Sequence, residues 1–449
     1  MQNLRTISAT SLILGAGLLL AACNDNNSNC GNCGATVGYA GTLSGLPTGT
    51  SVLLQDNTGT NATLSANGNF SFSTYAPWGF PALVGVLVQP TGDDCAVSNS
   101  GGGGVAGVTI TCAPLAGTVN SLLTDFAGMV SQGSAEGSGL AASFNNPNGI
   151  ATDASGTVYV ADTGNNTIRQ ITSAGVVSTL AGTAGSTGSA DATGSVASFR
   201  SPNAVATDGV GNVYVADTIN GTIRKIVAST GAVTTIAGTA GVLGSTDSTT
   251  ATAASFRYPN GVAADASGNV YVADTGNHTI RLITSAGAVS TIAGTAGSYG
   301  SADGTGAAAR FNAPVAVALD GAGNLFVADY NNSTIRKIVL SSGAVTTLAG
   351  MAGSYGATDG TGMAATFNGP QGIAIDGSGN LYIADTFSYA VRKVSPAGVV
   401  TTVVGSSTLP VFDAGILPGA LEQVFGVALS GTTLYITTNG GIARVTNVP

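Results

Sequence analysis

The sequence predicts an all-β protein built from one unit used repeatedly, and three observations support this prediction. The chain has 67 glycines in 449 residues, and only 8% of its residues are charged. So much glycine, with so few charged side chains, favours short strands and tight turns over helices. A near-identical phrase recurs about every 55 residues, which is typical of chains that stack one supersecondary unit. Its five clear copies begin at residues 147, 202, 259, 314 and 370, and a degenerate sixth copy runs from 425 to 444.

Residues 1–23 are predicted to be a targeting segment rather than part of the fold. Arg5 provides positive charge, an apolar stretch follows, and L-A-A-C at residues 20–23 resembles the lipobox of bacterial lipoproteins. This resemblance implies that Cys23 carries a lipid, and Asn24 after it favours the outer membrane. The alternative is an ordinary cleaved signal followed by a chance cysteine. No later stretch has the ~20 apolar residues of a membrane helix, so the predicted attachment is through lipid alone.

Residues 24–34 are polar and lack apolar periodicity, which predicts a tether. The tether contains Cys30 and Cys33, which have the spacing of a redox motif, but no βαβ pattern surrounds them. A small local disulfide is therefore favoured over redox catalysis. Two thiols alone are also too few for a zinc site, which takes four ligands.

Residues 35–115 are predicted to form a small β-sandwich. Short alternating runs are separated by turn sequences such as D-N-T-G-T and S-A-N-G-N, and the segment resembles sandwich modules near the amino end of bacterial envelope proteins. Cys95 and Cys112 lie on two strand-like runs around a glycine-rich loop, and we predict a disulfide between them. Closing a loop of about 17 residues contributes roughly 3 kcal/mol in the chain-entropy model.

Residues 117–449 contain the repeats, and each period holds four strand-length runs separated by turns. In the first clear copy these runs are residues 149–152, 158–161, 167–171 and 176–181. The phrase resembles the NHL family, whose core G-N-x-Y-V-A-D-x-x-N-x-x-I-R is clearest at residues 268–281. The resemblance implies a β-propeller in which each repeat forms a four-stranded blade.

The two ends of the repeat region predict six blades. The sixth copy stops at Pro449 after its third strand and lacks the V-V-S-T-L-A-G strand of the other copies. A similar run, V-N-S-L-L-T-D-F-A-G, stands at residues 119–128, before the first copy. We therefore expect a strand from the beginning of the domain to complete the last blade, because such closure covers otherwise exposed strand edges.

Five copies place an aspartate seven residues before an arginine. A four-residue hairpin loop is expected to set the two directly opposite each other, where opposite charges contribute roughly 0.2–1 kcal/mol. One active site does not need five copies, so we predict structural ion pairs. The sixth copy has Thr438 near the aspartate position, which leaves Arg444 without its partner. The predicted pairs are Asp162 with Arg169, Asp217 with Arg224, Asp274 with Arg281, Asp329 with Arg336, and Asp385 with Arg392.

The residue after the repeat's proline is predicted to lie where the innermost strand begins, beside the central channel. Propeller enzymes of the gluconolactonase and amidating-lyase kinds place metal ligands around such a mouth. Calcium accepts amide oxygens, usually together with carboxylates, whereas the ring predicted here is neutral. Asn before Gly is also a frequent turn former. The ring, a candidate binding site to which we assign no metal, consists of Asn148, Asn203, Asn260, Val315, Gln371 and Phe425.

The connections between repeats carry a recurring acidic residue in the pattern A-G-x-x-G-S-x-D. These carboxylates are candidates for attracting cations or a basic partner, because loops on a rigid scaffold often bind. The alternative is that each one caps its own turn. His278, the only histidine, occupies a variable turn position and has no indicated catalytic role. The acidic set is Glu136, Asp191, Asp247, Asp303 and Asp359.

The formal net charge of −9, with nearly every cation in a repeat position, argues against nucleic-acid binding. We expect a monomeric, lipid-anchored binding or scaffold protein of the cell envelope. Its loop face would hold another protein, a peptide or a glycan, without catalysis and without a cofactor. The alternative is a metal-dependent propeller enzyme, a gluconolactonase-like hydrolase or a lyase, that acts at the channel mouth. A third interpretation is a purely structural envelope component.

Overall fold

The computed structural model describes residues 5–6, 37–56, 60–76, 84–89, 93–100, 107–114, 121–128, 131–405, 415–416 and 419–448. These residues form β-strands, turns and three-residue 3-10 helices, which confirms the all-β class. The chain divides into two compact units, Met1–Thr124 with Leu409–Ala420 and Asp125–Thr408 with Leu421–Pro449. No helix in the described part of the chain has the length and apolar character needed to span a membrane.

The first unit contains two four-stranded sheets in its described part. Phe70 and Phe72 are buried on either side of the exposed Ser71, as expected of a strand with one face in the core. Cys95 and Cys112 pair across two strands and form the predicted disulfide. The sheet orders are Arg5–Thr6, Asn61–Leu64, Val52–Asp56, Val84–Val88 and Gly68–Ala76, Val37–Ser44, Gly107–Pro114, Asp93–Ser100. Gly415–Ile416 pairs with the start of Leu122–Gly128.

The second unit consists of four-stranded antiparallel sheets, which we number from 1 to 6 in repeat order. Sheets 1 to 3 are Pro147–Thr152, Val158–Asp162, Thr167–Ile171, Val176–Ala181; Pro202–Thr207, Asn212–Asp217, Thr222–Val227, Ala232–Ala237; and Pro259–Ala264, Val270–Asp274, Thr279–Ile283, Val289–Ala293. Sheets 4 to 6 are Pro314–Leu319, Asn324–Asp329, Thr334–Val339, Ala344–Ala349; Pro370–Ile375, Leu381–Asp385, Ala390–Val394, Val399–Gly405; and Val424–Ser430, Thr433–Thr438, Gly441–Thr446, Leu122–Gly128.

The first strand of each sheet, the inner strand, packs against the inner strands of the two neighbouring sheets. The inner strand of sheet 6 packs in the same way against that of sheet 1, so the inner strands surround a common axis. Second strands such as Val158–Asp162 are buried along their whole length because sheets cover both of their faces. The propeller architecture implied by the repeat is therefore present.

Short elements connect the strands. Two-residue strands at Gly137–Ser138, Gly304–Thr305 and Gly360–Thr361 extend sheets 1, 4 and 5. 3-10 helices follow the second strands at Thr163–Asn165, Thr275–Asn277, Tyr330–Asn332 and Thr386–Ser388, and precede the inner strands at Gly139–Ala141, Gly194–Val196, Ala251–Ala253, Gly306–Ala308 and Gly362–Ala364. We call the end of the sheets at which the inner strands begin the mouth side.

The strand Leu122–Gly128 lies beside Gly441–Thr446 as the outer strand of sheet 6, as the sequence predicts. The Phe126 ring lies 5.0 Å from the Tyr435 ring, and the Arg444 guanidinium lies 5.2 Å from the Phe126 ring. The beginning of the repeat region thus supplies side chains to the core of its last sheet.

The register of sheet 6 corrects the predicted position of Arg444. In sheet 1, Val160 opposes Arg169. In sheet 6 the equivalent Ile436 opposes Ala443, and Arg444 opposes Tyr435 on the other face. The reason is the turn length: two residues follow Thr438 before the next strand begins, whereas sheet 1 has four at this point. Sheet 6 therefore has neither the aspartate nor the arginine of the other sheets at these two positions.

Candidate functional site

The inner strands enclose a cavity of about 420 Å³ at the mouth side. This volume lies within the range of small-molecule sites in proteins. The structure brings together all six side chains of the ring predicted from the residue after each proline position. The lining residues from this ring are Asn148, Asn203, Asn260, Val315, Gln371 and Phe425.

The Asn-Gly pairs of this ring lie in strands, so the turn-forming alternative is wrong. A Cβ atom on Gly149 would lie 2.5 Å from the Ala204 Cα, and one on Gly261 would lie 2.7 Å from the Ala316 Cα. Such distances leave no room for a side chain. Glycine or alanine follows the ring position because neighbouring inner strands approach each other closely there.

The amide groups of the ring differ in how far the protein already binds them. The Asn203 Nδ2 donates to the Asn260 Oδ1 at 3.1 Å, and the Thr218 hydroxyl lies 3.4 Å from the same oxygen. The side-chain amides of Asn148 and Gln371 line the cavity and make no hydrogen bond to the residues that the structure describes. A carboxamide offers donors and an acceptor, so these two groups are available to a ligand.

Sequence reasoning missed the lining residues outside this ring, among them Tyr330 and Asn331. These two residues lie in the 3-10 helix after the second strand of sheet 4. The Tyr330 ring is 6.4 Å from the Phe387 ring of the next sheet. A signal for Tyr330 was present in the sequence, because the other four clear copies have threonine at this position.

The five predicted ion pairs are present and fully buried, which is more than a surface hairpin contact. Their Arg Nη1 to Asp Oδ2 distances are 3.0, 2.9, 2.8, 2.9 and 3.1 Å in sheets 1 to 5. The expected direct opposition is wrong: Asp162 opposes Thr167, and Arg169 opposes Val160. A four-residue loop pairs the two residues that flank it, here Asp162 and Thr167. The arginine seven positions after the aspartate therefore lies diagonally across the strand pair.

Each arginine in sheets 2 to 5 also binds an acidic residue of the preceding connection. These carboxylates lie 2.7, 2.6, 2.8 and 2.7 Å from Arg224, Arg281, Arg336 and Arg392, and their side chains are 46 to 50% exposed. In the same clusters the guanidinium lies 5.0 to 5.5 Å from the ring of a buried phenylalanine. The acidic residues are Asp191, Asp247, Asp303 and Asp359, respectively.

These contacts assign the acidic residues to the outer part of the sheets. Asp191 accepts hydrogen bonds from the backbone and hydroxyl of Thr235, in the outer strand of sheet 2, instead of capping its own turn. In sheet 1, Glu136 binds the Thr179 backbone N–H at 2.8 Å, and Arg169 donates to the Ala135 carbonyl. None of the five acidic side chains lines the cavity.

Burial and hydrogen-bond donors shift the pKa values of the buried aspartates in opposite directions. Burial raises the pKa of Asp329 to about 6, although hydrogen bonds from Asn312 and Asn332 and the charge of Arg336 oppose this shift. His278 is not arranged as a base: its Nδ1 accepts the Ala313 backbone N–H at 3.0 Å, and burial lowers the pKa of its ring. Cys23, Cys30 and Cys33 lie outside the described residues.

An acidic pair is found at sheet 6: Asp125, in its outer strand, is influenced by the charge of Glu422, which precedes its inner strand. Both carboxylate oxygens of Asp125 are buried and accept no hydrogen bond from the described residues. Burial raises the pKa of Asp125 well above its usual value, and the negative charge of Glu422 adds to this shift. Burial also raises the pKa of Glu422.

We expect Asp125→Asn to raise the melting temperature at pH 7.5 and to leave it unchanged near pH 3.5. The unfolded carboxyls titrate near pH 4, and the folded ones titrate at higher pH, so ionisation increasingly destabilises the fold as pH rises through that interval. Thermal unfolding at both pH values measures the effect. The control is Asp153→Asn: burial tends to raise the pKa of Asp153, but hydrogen bonds from Ser155 and Thr157 outweigh it and lower the pKa. That variant should lose stability at pH 7.5, and a loss with Asp125→Asn would contradict the assignment.

Comparison with known proteins supports the repeat. The model of the NHL repeat matches residues 144–171 and 256–281, and that of the teneurin NHL domain matches 352–417. The chain is 31% identical over 280 residues to Protein SUPPRESSOR OF QUENCHING 1, chloroplastic, of Arabidopsis thaliana, a match that covers 59% of this chain and 26% of that protein. It is 31% identical over 171 residues to NHL repeat-containing protein 2 of Homo sapiens, covering 35% and 23%. The chain thus spans about a quarter of the length of these relatives.

Solved structures share the fold at low identity. A protein of unknown function from Bacteroides thetaiotaomicron superposes with a TM-score of 0.57 at 20% identity, over 88% of this chain and 90% of that chain. An auxiliary nutrient binding protein from the same organism gives a TM-score of 0.56 at 12% identity, over 91% and 97%. Stretches of the chain therefore match the NHL repeat, the chain is similar to NHL repeat-containing proteins, and its all-β, propeller-like fold is shared with these solved structures.

Proposed function

We propose that this protein is a non-catalytic binding protein whose ligand site is the mouth-side cavity. The observation that carries the proposal is the lining: amide, hydroxyl, aromatic and aliphatic side chains surround the cavity, and no charged side chain of the described residues lines it. A concave site in which a few polar groups converge beside apolar surface is typical of small-molecule recognition. The auxiliary nutrient binding protein is only 12% identical, so the proposal rests on the cavity and not on that likeness.

The acidic loops are less suited to be the binding face than the sequence suggested. Asp191, Asp247 and Asp303 each bind a buried arginine and hold the outer strand of their sheet. A basic partner would have to compete with these contacts. The amides of Asn148 and Gln371 have no such competitor among the described residues.

The experiment compares ligand binding at the two places. Extract fractions from the cell envelope are screened by thermal shift against the mature protein and against Asn148→Ala/Gln371→Ala. A ligand of the cavity should raise the melting temperature of the wild type but not of this double variant. The control, Asp191→Asn, should bind as the wild type does. A ligand lost only in Asp191→Asn would move the site to the loops. Turnover with a retained divalent ion, abolished in the double variant, would favour the metal-dependent enzyme instead.

We further propose that the protein is anchored to the cell envelope by a lipid on Cys23. The support is the L-A-A-C sequence at the end of an apolar stretch. Replacing Cys23 by alanine should abolish labelling by a fatty-acid probe and release the protein from the membrane fraction, because the thiol is the attachment point. The control is Cys30→Ala, which should keep the label. Unchanged labelling of Cys23→Ala would contradict the proposal.

A further inference from the structure

The mouth side breaks the symmetry of the repeats with aromatic residues on one side. One position in the connections between sheets is Gln132 before sheet 1 and Thr187 before sheet 2. The equivalent position is Tyr299 before sheet 4 and Tyr355 before sheet 5. Tyr330 replaces threonine after the second strand of sheet 4. Tyrosine at these points is a departure from an otherwise near-identical repeat, so it is not required for the fold of a sheet.

Three aromatic side chains of the mouth side are exposed rather than part of the core, and Tyr330 is half-buried. Tyr299 is 71% exposed, Tyr355 is 64% exposed, and Phe387 is 43% exposed. We call Tyr299, Tyr330, Tyr355 and Phe387 the aromatic arc. The Tyr355 hydroxyl lies 3.4 Å from the Asn331 carbonyl oxygen, and Asn331 and Tyr330 line the cavity. The aromatic arc therefore continues outward from the cavity lining.

A glycine makes room for two rings of this arc. A Cβ atom on Gly369 would lie 2.7 Å from the Phe387 ring and 3.1 Å from the Tyr330 ring. The other clear repeats have Asn146, Ser201, Tyr258 and Ala313 at this position. The glycine thus occurs in the repeat whose neighbouring loops carry Tyr330 and Phe387.

The opposite side of the cavity is polar. Asn148, Asn203 and Asn260 come from sheets 1, 2 and 3, and we call them the amide arc. Their amides donate and accept hydrogen bonds but carry no charge. A ligand that fits both arcs has neutral groups that donate and accept along its edge and C–H groups on its flat faces. Aromatic rings such as those of the aromatic arc provide flat apolar surface with a polar tip.

We propose that the mouth-side cavity binds a neutral saccharide. A sugar ring with adjacent hydroxyl groups matches the amide arc, since every hydroxyl both donates and accepts. Its C–H face matches the rings of the aromatic arc, and no described residue of the lining has a charge to neutralise a uronate, a phosphate or a peptide terminus. This inference names the ligand class of the proposed binding function and depends on it.

The test measures the binding of defined saccharide and peptide probes to the mature protein without further truncation. The probes are neutral disaccharides and trisaccharides of glucose, galactose, mannose and xylose, with digalacturonate and an uncharged tripeptide as comparisons. Isothermal titration should detect at least one neutral saccharide and no binding of digalacturonate. Tyr330→Ala should weaken that binding roughly ten-fold or more, whereas Tyr330→Phe, which keeps the ring, should retain most of it. Thr187→Ala, at the position equivalent to Tyr355, should bind as the wild type does.

The outcomes separate this inference from the proposed function. If no saccharide of the panel binds, but tripeptide binding disappears in Tyr330→Ala, the cavity is a binding site and the saccharide class is wrong. If a saccharide binds equally to the wild type, Tyr330→Ala and Asn148→Ala/Gln371→Ala, both proposals are wrong about the site. Retention on purified envelope polysaccharide, competed by the free sugar, assigns the ligand to the cell surface. Binding of the free sugar without such retention assigns it to soluble saccharides.

Discussion

Replacing Asp162 by alanine should lower the free energy of unfolding of the second compact unit, which contains the repeats, by about 3–5 kcal/mol. The variant leaves Arg169 fully buried, and Asp162 is the only carboxylate within salt-bridge distance of it among the described residues. It also removes the acceptor for the Asn145 backbone N–H and for the Asn165 amide. Unfolding by urea, with the denaturant dependence fitted for each variant, measures the loss.

Two matched variants test the cause of this loss. Asp217→Ala should destabilise less, because Asp191 remains 2.7 Å from Arg224. Asp162→Thr combined with Arg169→Ala reproduces the Thr438 and Ala443 found at these positions in sheet 6. This double variant should recover much of the stability lost by Asp162→Ala, because no buried charge is left without a partner. Equal losses in all three variants would show that the buried charge is not the cause.

Removing the strand Leu122–Gly128 should strongly destabilise the second compact unit, which contains the repeats. Two shortened chains, beginning at residues 116 and 129, differ mainly by this strand. The chain that begins at 129 loses the buried side chains of Leu123 and Phe126, which together contribute roughly 3–6 kcal/mol. It also exposes the edge of Gly441–Thr446, which promotes pairing between chains.

The measurement is thermal unfolding together with light scattering. The chain that begins at residue 116 should melt as a soluble species with cooperative unfolding. The chain that begins at 129 should melt at a much lower temperature or aggregate. Equal melting of the two chains would contradict the role of this strand in closing sheet 6.

The fold was predictable from sequence where a pattern recurs. Five copies of an Asp and an Arg at fixed spacing predicted the ion pairs but not their burial, and the ring position after each proline predicted part of the cavity lining. The partner of Arg224 in the connection was not predictable in the same way. Asp191 lies 33 residues before it in the chain, and only packing of the connection against the outer strand brings them together.

Departures from the pattern were harder to interpret. The position of Arg444 depends on the number of turn residues, and one face of a strand is exchanged for the other when the register changes by one residue. Tyr330 was visible as a substitution for threonine, yet nothing in the spacing showed that its ring would line the cavity. Asn-Gly has a strong local turn preference, which the close packing of inner strands overrode at Gly149.

The arginine cluster of sheet 2 has a consequence for how such a chain changes its number of repeats. Arg224 donates to the Ala190 and Ser198 carbonyls and to the carboxylates of Asp191 and Asp217. All of these partners lie between residue 190 and Thr235, the outer-strand residue whose hydroxyl donates to Asp191. A duplication or deletion in this frame carries the buried arginine together with both of its carboxylates. Copy number can then vary without leaving a buried arginine unpaired at the junction, although each change must still let the first and last sheets close the ring.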